Sequence, residues 1–188
     1  MRTLALVEFV SLDGVMQGLA GPDGDFPYPG WGRDYPVAPP EGGGPGATSA
    51  YLFGRRTFTE MAAFWPTQPD DNPMAAGLNH TPKYVVSRTL ATPSWQPTTV
   101  LSGDVGTAVS RLKAEGEGTI VVLGSGQLAR FLLAAGLVDA LTLFVHPVLL
   151  GTGVRLFGEL PQRQRLRLTS STASGVGSLV LTYELTER

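Results

Sequence analysis

Hydrophobic residues along the chain fall into short runs separated by polar or glycine-rich segments. These runs are rich in Leu, Val and Ile and lack helical caps, so they predict buried strands. The predicted strands are Thr3 to Val10, Ala50 to Phe53, Lys83 to Val86, Thr99 to Leu101, Thr119 to Leu123 and Ala140 to Leu149. Two further runs, Arg165 to Ser171 and Ser178 to Leu185, predict an antiparallel hairpin that closes one edge of the sheet.

Apolar residues at helical spacing predict helices between these strands. One helix is predicted from Thr57 to about Phe64, with Thr57 and Glu60 as a capping box, and another from about Val105 to Ala114. A third helix follows Gly126 and ends at Gly136. Its predicted apolar face consists of Leu128, Phe131, Leu132 and Ala135. Because strand, helix and strand alternate, the sequence predicts an α/β fold with a mostly parallel sheet and helices on both faces.

A long loop is predicted from Gly18 to Gly46, where nine Gly and seven Pro occur in 29 residues. This composition does not sustain a helix or a central strand. The loop also carries aromatic side chains that can pack on the domain. These are Phe26, Tyr28, Trp31 and Tyr35. The segment before it is too short to fold alone, so we expect an ordered lid on a single domain spanning residues 1–188.

The amino-acid composition limits the kinds of catalytic and metal site that the chain can form. The chain has 188 residues, enough to bury a core without metal or disulfide, and it has no Cys. Thiolate nucleophiles, iron–sulfur clusters and Cys-based zinc sites are therefore excluded. Only His80 and His146 supply imidazole, without metal-binding spacing, so we expect both to be structural and no metal site.

The charge and hydropathy patterns bear on partners and location. The net charge of -2 lacks the basic character typical of nucleic-acid-binding domains, so we expect no nucleic-acid partner. The apolar N-terminal run contains Glu8 and lacks a cleavage site, and no run has the length of a membrane span. We therefore expect a cytoplasmic protein without a membrane partner.

Three predicted strand ends carry candidate ligand-binding residues, and ligands bind at the carboxyl ends of strands in open α/β sheets. The first is Gly54-Arg55-Arg56-Thr57, where a glycine, a helix start and two arginines suit an anion. An ordinary capped helix with solvated arginines is the alternative. The second is Ser87-Arg88, a hydroxyl and a guanidinium suited to a phosphate monoester, or simply a surface pair.

The third strand end is Gly124-Ser125-Gly126-Gln127-Leu128-Ala129, which matches the G-x-G-x-x-A turn of dinucleotide-binding sites. An NAD-binding Rossmann unit also carries an acid about 20 residues later, but this chain has Phe144-Val145-His146-Pro147 there. The turn is therefore either structural or part of a site that pairs phosphates with arginines and prefers NADPH.

Five segments, taken in order, resemble the dihydrofolate reductase superfamily. The likeness is strongest to its branch similar to the reductase domain of bacterial riboflavin biosynthesis. The segments run from Val10 to Gln17, Leu52 to Phe58, Tyr84 to Leu90, Val122 to Leu128, and Gly136 to Asp139 with His146 to Gly153. They span nearly the whole chain, so the resemblance implies a dihydrofolate-reductase-like sheet with a C-terminal hairpin and NADPH along the strand ends.

The resemblance also implies roles for individual residues. Gly54, Arg55, Arg56 and Thr57 would hold the pyrophosphate of NADPH. Ser87 and Arg88 would take its 2′-phosphate. The residues expected to approach the cofactor from the other side are Gly124, Ser125, Gly126, Gln127 and Leu128. Many family members begin this last turn with two glycines, whereas here the second position is Ser125.

The segment bordering the nicotinamide in this family implies the reaction centre. Ser11 and Asp13 are therefore candidate catalytic residues, and Gly14 a candidate cofactor contact. Asp13 could instead cap a turn. The candidate substrate contacts are Trp31 and Phe26 of the loop and Gln17 at the end of this segment.

The chain departs from the family upstream of Tyr51. Family members have a helix there, and dihydrofolate reductases use its acidic residue to anchor the pteridine. Here the proline- and glycine-rich segment from Pro36 to Pro45 excludes a helix. Asp34 and Glu41 are the nearest acids, and we expect both to be solvated. The substrate half of the pocket is thus expected to differ from that of folate reductases.

Three functions follow as hypotheses. The first is an NADPH-dependent reductase acting on a small heteroaromatic or carbonyl compound, with the proton from Asp13, a loop tyrosine or water. The second is a non-catalytic module that binds NADP(H). The third is a nucleotide-independent scaffold, with the apolar segment from His146 to Gly153 at a homodimer interface or simply in the core.

Overall fold

The computed structural model describes residues 1–36 and 47–186. Its strands are β1 (Thr3–Ser11), β2 (Thr48–Gly54), β3 (Lys83–Val86), β4 (Thr98–Leu101), β5 (Thr119–Leu123), β6 (Ala140–His146), β7 (Leu166–Ala173) and β8 (Leu179–Leu185). Its α-helices are α1 (Arg55–Phe64), α2 (Pro73–His80), α3 (Val105–Ala114) and α4 (Gly126–Ala134). No helix in the described ranges is long and apolar enough to cross a membrane.

The strands form one sheet in the order β4-β3-β2-β5-β1-β6-β8-β7. The pairs from β4 to β6 are parallel, and β8 pairs antiparallel with both β6 and β7. The predicted dihydrofolate-reductase-like fold, with a parallel sheet and a C-terminal hairpin, is confirmed. β1 lies in the middle of the sheet, paired with β5 and β6, and most of its side chains are buried.

Helices cover both faces of the sheet. On one face, Leu4 and Leu6 of β1 belong to a core cluster with Val109 of α3 and Leu132 of α4. On the other face, α1 and α2 cover β2 and β3 through a smaller cluster around Phe53. The alternating direction of side chains along each strand provides an apolar surface for both layers.

The first half of the predicted loop packs against the sheet. It contains a 3-10 turn over Trp31–Asp34, and Phe26 and Trp31 are buried with Val15 and Leu150 in a third cluster. Residues 37–46, which include Glu41, lie outside the described part of the chain. Asp34 is exposed, as expected for a solvated loop residue.

The last parallel strand is shorter than the sequence predicts. β6 ends at His146, where Pro147 follows and provides no N–H for a sheet hydrogen bond. In the segment after it, Leu150 is buried whereas Leu149 is 71% exposed. The apolar run that predicted a strand to Leu149 therefore continues into a loop that is partly core and partly surface.

The predicted capping box at α1 is wrong. The helix begins two residues earlier, with Gly54 as its N-cap residue, so Thr57 lies in the first turn and Glu60 in the second. The Thr57 hydroxyl instead accepts a hydrogen bond from Ser125, and Glu60 pairs with Arg56 at 3.2 Å. A threonine followed three residues later by a glutamate also occurs inside helices, so the spacing alone did not locate the helix start.

The predicted apolar face of α4 is partly wrong. Its buried residues are Leu128, Ala129, Leu132 and Leu133. Phe131 is 43% exposed, and Ala135 is exposed as well. The buried stripe is therefore rotated relative to the prediction, with Ala129 and Leu133 buried in place of Phe131 and Ala135.

Helix α2 was not predicted from the sequence. Asn72 caps this helix by accepting hydrogen bonds from the backbone N–H groups of Met74 and Ala75, and Pro73 occupies the first position, where proline is favoured. Only Ala75 and Leu78 of its eight residues are buried. The helix lacked a strong apolar period, although its Asn-Pro start was a usable signal.

Candidate active site

The three predicted ligand-binding strand ends and the Ser11–Gly14 segment lie along one edge of the sheet. Ser87 follows β3, Gly54 ends β2, Gly124 follows β5 and Ser11 ends β1, and these four strands are consecutive neighbours. Because all four run parallel, their carboxyl ends meet at the same edge. The structure thus brings together four segments that are separated by up to 113 positions, the distance along the chain from Ser11 to Gly124.

The position between the carboxyl ends of the neighbouring strands β2 and β5 is called the crevice below. The chain leaves β2 into α1 on one face and leaves β5 into α4 on the opposite face. Such a divergence of helices from adjacent parallel strands is the position where open α/β sheets bind ligands. The N-termini of α1 and α4 lie next to each other at this crevice.

Ser125 joins the two helix starts. Its hydroxyl accepts a hydrogen bond from the Gly54 N–H at 2.7 Å and donates one to Thr57 Oγ1 at 2.8 Å. Among the described residues other than glycine, it alone has a positive φ, 70°. Ser125 therefore keeps the left-handed conformation that a glycine adopts freely, and its side chain ties α1 to α4.

We expect Ser125→Ala to lower the free energy of unfolding by about 1–3 kcal/mol, because it removes both hydrogen bonds and keeps the unfavourable φ. Ser125→Gly loses the same bonds but relieves the backbone strain, so it should be about 1 kcal/mol less destabilising than the alanine variant. Urea unfolding of both variants measures the difference. If alanine were the less destabilising of the two, backbone strain at Ser125 would be disproved.

The two helix starts at the crevice lack side-chain caps. Gly54 and Ser125, the N-cap residues of α1 and α4, make no side-chain hydrogen bond to their helices. In contrast, Asn72 and Asp104 cap α2 and α3. First-turn N–H groups without a side-chain cap, together with the helix dipoles, favour an anion at this point.

Close approach of the two turns depends on glycine. A side chain at Gly54 would come within 3.0 Å of Ser125 Oγ, and one at Gly124 within 3.0 Å of Thr57 Cγ2. A side chain at Gly126 would come within 2.6 Å of Met16 Sδ. The glycines thus allow the backbone of both turns to line the crevice directly.

The arginines differ in their surroundings. Arg56 forms an ion pair with Asp23 of the loop, in addition to Glu60, and these contacts raise the pKa of its guanidinium. Arg55 and Arg88 are exposed at the crevice edge. Arg56 is therefore already engaged with the loop, whereas Arg55 and Arg88 present their charge to solvent.

The remaining residues predicted to contact the cofactor differ in burial and hydrogen bonding. The buried Ser87 hydroxyl accepts hydrogen bonds from the N–H groups of Thr89 and Leu90 at 3.1 and 2.9 Å, so it shapes the turn that carries Arg88. The Leu128 side chain is buried in the core and Gln127 is exposed. Gly14, at φ 82°, has open space beside it.

Ser11 and Asp13 form a fixed network. Ser11 Oγ donates to Asp13 Oδ1 at 2.7 Å, and the carboxylate also accepts from the N–H groups of Leu150 and Gly151. The Ser11 hydroxyl first, and then these N–H groups, lower the pKa of Asp13 to about 2. Asp13 is therefore ionised at neutral pH and holds no proton to donate. Its geometry matches the turn-capping alternative, because it ties the end of β1 to the loop after β6.

The predicted substrate residues pack within the loop. Trp31 Nε1 donates to the Gln17 carbonyl at 2.7 Å, and Gln17 Oε1 accepts from Val154 N–H at 3.0 Å. Trp31 and Phe26 are 7% and 8% exposed. In this conformation all three residues hold the loop on the sheet rather than line an open surface.

Aromatic residues that sequence analysis did not assign to the site lie beside it. The His146 ring packs against Phe9 and Tyr35, with ring centroids 6.0 and 5.3 Å apart. His146 was expected to be structural. The alternation of side chains along β1 and β6 could have identified Phe9 as a neighbour of His146. Ser11 pairs with His146 in the sheet, and Phe9, two residues before Ser11, lies on the same face.

Comparison with known proteins identifies the family. The model of the RibD C-terminal domain matches residues 2–180. The chain belongs to this family. A curated relative is the uncharacterized protein YyaP of Bacillus subtilis (strain 168), which is 30% identical over 135 residues, covering 70% of this chain and 71% of YyaP.

Solved structures show the same fold as this RibD C-terminal domain. A Shewanella sp. PV-4 protein named for riboflavin biosynthesis aligns with a TM-score of 0.69 and 20% identity, covering 99% of this chain and all of that one. A pyrimidine reductase-like protein of Corynebacterium diphtheriae gives a TM-score of 0.59 and 14% identity, with 100% and 93% covered. Enterococcus faecalis dihydrofolate reductase, complexed with NADP(H), gives 0.59 and 15%, with 98% and 97% covered. These identities support the fold and not a shared substrate.

Proposed function

We propose that this RibD C-terminal domain is an NADPH-dependent reductase that transfers a hydride to a small heteroaromatic compound. The observation that carries the proposal is the crevice between β2 and β5, where two helix N-termini without side-chain caps meet. The reductase names among the structural neighbours, and the NADP(H) bound to one of them, support the same activity.

The residues of the crevice fit a dinucleotide phosphate. The backbone of Gly54, Gly124 and Gly126 would lie against the pyrophosphate, because glycine there permits the close approach of both turns. Arg55 would pair with the pyrophosphate from its exposed position. Arg88, at the end of β3, would take the 2′-phosphate, with Ser87 fixing the turn beneath it.

NADPH would supply the hydride, and the chain would bind, orient and protonate the substrate. Ionised Asp13 is unsuited to giving a proton, so it would position the nicotinamide end of the site by holding Ser11 and the loop after β6 in place. A loop tyrosine or water remains as the proton source in this proposal. Tyr35 is the loop tyrosine next to β1 and β6.

A side-by-side titration with NADPH and NADH tests the cofactor. We expect NADPH to bind in the micromolar range or tighter, with binding that weakens as salt is raised, and NADH to bind far more weakly. Ligand fluorescence and binding heat report both. Absence of binding by either cofactor would overturn the reductase proposal. NADPH binding without oxidation by any pterin, pyrimidine or flavin precursor would instead favour a non-catalytic NADP(H)-binding module.

We expect Arg88→Ala to weaken NADPH binding by about 10–150-fold, because a charge-assisted hydrogen bond contributes about 1.5–3 kcal/mol. NADH lacks the 2′-phosphate, so its affinity should barely change. Arg167→Ala is the matched control, since Arg167 is an exposed arginine on β7, the outermost strand on the side of the sheet away from β3. Equal losses for NADPH and NADH would show that Arg88 does not contact the 2′-phosphate.

A further inference from the structure

One ion pair joins the loop to the first turn of α1. The Asp23 carboxylate of the loop contacts Nη2 of Arg56, the second residue of α1. Among the described residues, no other hydrogen bond or ion pair joins residues 18–36 to this helix. The polar attachment of the loop to α1 thus depends on a single arginine. This arginine directly follows Gly54 and Arg55, which we propose lie against the pyrophosphate.

The backbone of Asp23 is attached to the segment that borders the other helix start of the crevice. Its carbonyl accepts hydrogen bonds from Gln17 Nε2 at 3.3 Å and from the Phe26 N–H at 3.2 Å. Gln17 follows Met16, whose sulfur lies against Gly126, the first residue of α4. Asp23 therefore connects the start of α1 to the segment beside the start of α4.

The Asp23 carboxylate has the same sign of charge as the group that the crevice is proposed to bind. The starts of α1 and α4 lack side-chain caps and favour an anion. Arg56 can pair with a phosphate oxygen as it pairs with Asp23, because a guanidinium binds carboxylate and phosphate in the same way. A phosphate and a carboxylate side by side at this arginine would repel each other, so occupancy by one disfavours the other.

We propose that Asp23 is an internal counter-ion that competes with the phosphate groups of a dinucleotide for Arg56, so that phosphate binding releases the loop from α1. This inference rests on the proposed function, because it takes a dinucleotide phosphate as the competing anion. Coupling between two binding events is reciprocal, so the ion pair that holds the loop weakens phosphate binding by an equal factor. The Arg56 and Asp23 side chains are 64% and 24% exposed, and such accessible pairs are weak, so this factor should be about threefold to fivefold at low salt.

Titration with inorganic pyrophosphate tests the competition without the rest of the cofactor. We expect Asp23→Asn to bind pyrophosphate about three to five times more tightly than the intact protein at low salt. The two affinities should converge at about 1 M salt, where the Debye length is about 3 Å. Binding heat measures both.

Asp25→Asn is the matched control for the change in net charge, because Asp25 is an exposed carboxylate two positions along the same loop. It should change pyrophosphate affinity by less than about twofold at low salt. Equal gains in the Asp23 and Asp25 variants would show that net charge is responsible, and they would overturn the competition for Arg56.

Hydrogen exchange followed by mass spectrometry reports on the loop itself. The Phe26 and Gly30 N–H groups are hydrogen-bonded within the loop, so release from α1 should speed exchange across residues 18–30. We expect pyrophosphate to speed this exchange in the intact protein, and Asp23→Asn to show the faster exchange without any ligand. Arg56→Gln should also release the loop but should lose the gain in affinity, because the phosphate loses the same arginine. A cooperative urea transition shows that each variant is folded.

The outcomes separate this inference from the reductase proposal. Equal NADPH affinity in the intact protein and Asp23→Asn, with unchanged loop exchange, would overturn the competition and leave the cofactor site in place. Pyrophosphate binding that loosens the loop through Asp23, without any NADPH binding, would support the competition and overturn the reductase function. Absence of pyrophosphate binding by every variant would overturn the competition, since no anion would then displace Asp23.

Discussion

Replacing Lys113 with methionine is expected to lower the free energy of unfolding by about 3 kcal/mol or more, because it leaves a partly buried carboxylate without its cation. Lys113 Nζ lies 2.6 Å from Asp139 Oδ2, with the two side chains 7% and 22% exposed. It also donates to the Leu137 carbonyl. Asp139 Oδ2 in turn accepts the Leu4 N–H at 2.8 Å, so this pair joins α3 to the starts of β1 and β6.

The same helix provides a matched control for Lys113. Arg111 and Glu115 form an exposed pair at 3.8 Å, with side chains 78% and 67% exposed. Exposed pairs contribute about 0–1 kcal/mol, so Arg111→Met should change stability little. Urea unfolding of both variants provides the comparison. A Lys113→Met loss no larger than that of Arg111→Met would show that the buried pair does not stabilise the sheet.

The ordered strand ends show how far the sequence alone could predict the site. Gly54, Ser87 and Gly124 could be located because each lies at the end of an apolar run, and such short runs are typical of buried strands in a parallel sheet. Neighbouring positions in the sheet could not be read from the residues, since strand order depends on packing across the whole chain. The family resemblance provided that step.

Side-chain roles within the site were less predictable. Arg56 looks like Arg55 in the sequence, yet only its side chain reaches Asp23, because the two arginines leave α1 in different directions. Ser125 occupies a position that favours glycine, and its hydrogen bonds to α1 depend on a strand 71 residues away in the chain. Such contacts follow from tertiary structure and carry no local signal.

His146 shows the same limit for the substrate half. A lone histidine in an apolar run predicts a structural residue, and its bond to Ser178 agrees with that. The unpaired Nε2 and the neighbouring Tyr35 become visible only when the loop lies on the sheet. Residues 18–36 could be predicted as a loop from Gly and Pro, but the surface that it covers could not, because its turns have no period to orient them.

The buried Glu8 is expected to make the free energy of unfolding fall as the pH rises. The side chain is 2% exposed in the middle of β1, and its Oε1 has no hydrogen-bond partner among the described residues. Burial raises the pKa of Glu8 from 4.5 to about 8. The folded protein therefore keeps this proton between pH 4.5 and 8, whereas the unfolded chain loses it, so Glu8 favours unfolding increasingly across that window.

We expect Glu8→Gln to stabilise the protein at pH 7 on the order of 3 kcal/mol, because each pH unit above 4.5 contributes about 1.4 kcal/mol up to the folded pKa. At pH 5 the advantage should nearly vanish, because this pH is close to the unfolded pKa of 4.5. The amide also adds an N–H donor to an apolar site, which offsets the small remaining gain. Urea unfolding from pH 5 to 8 measures both slopes, with the exposed Glu60→Gln as the control for losing one carboxylate. If Glu8→Gln kept the pH slope of the intact protein, Glu8 would be ionised in the folded state. Its carboxylate would then require a cationic or N–H partner at the centre of the sheet.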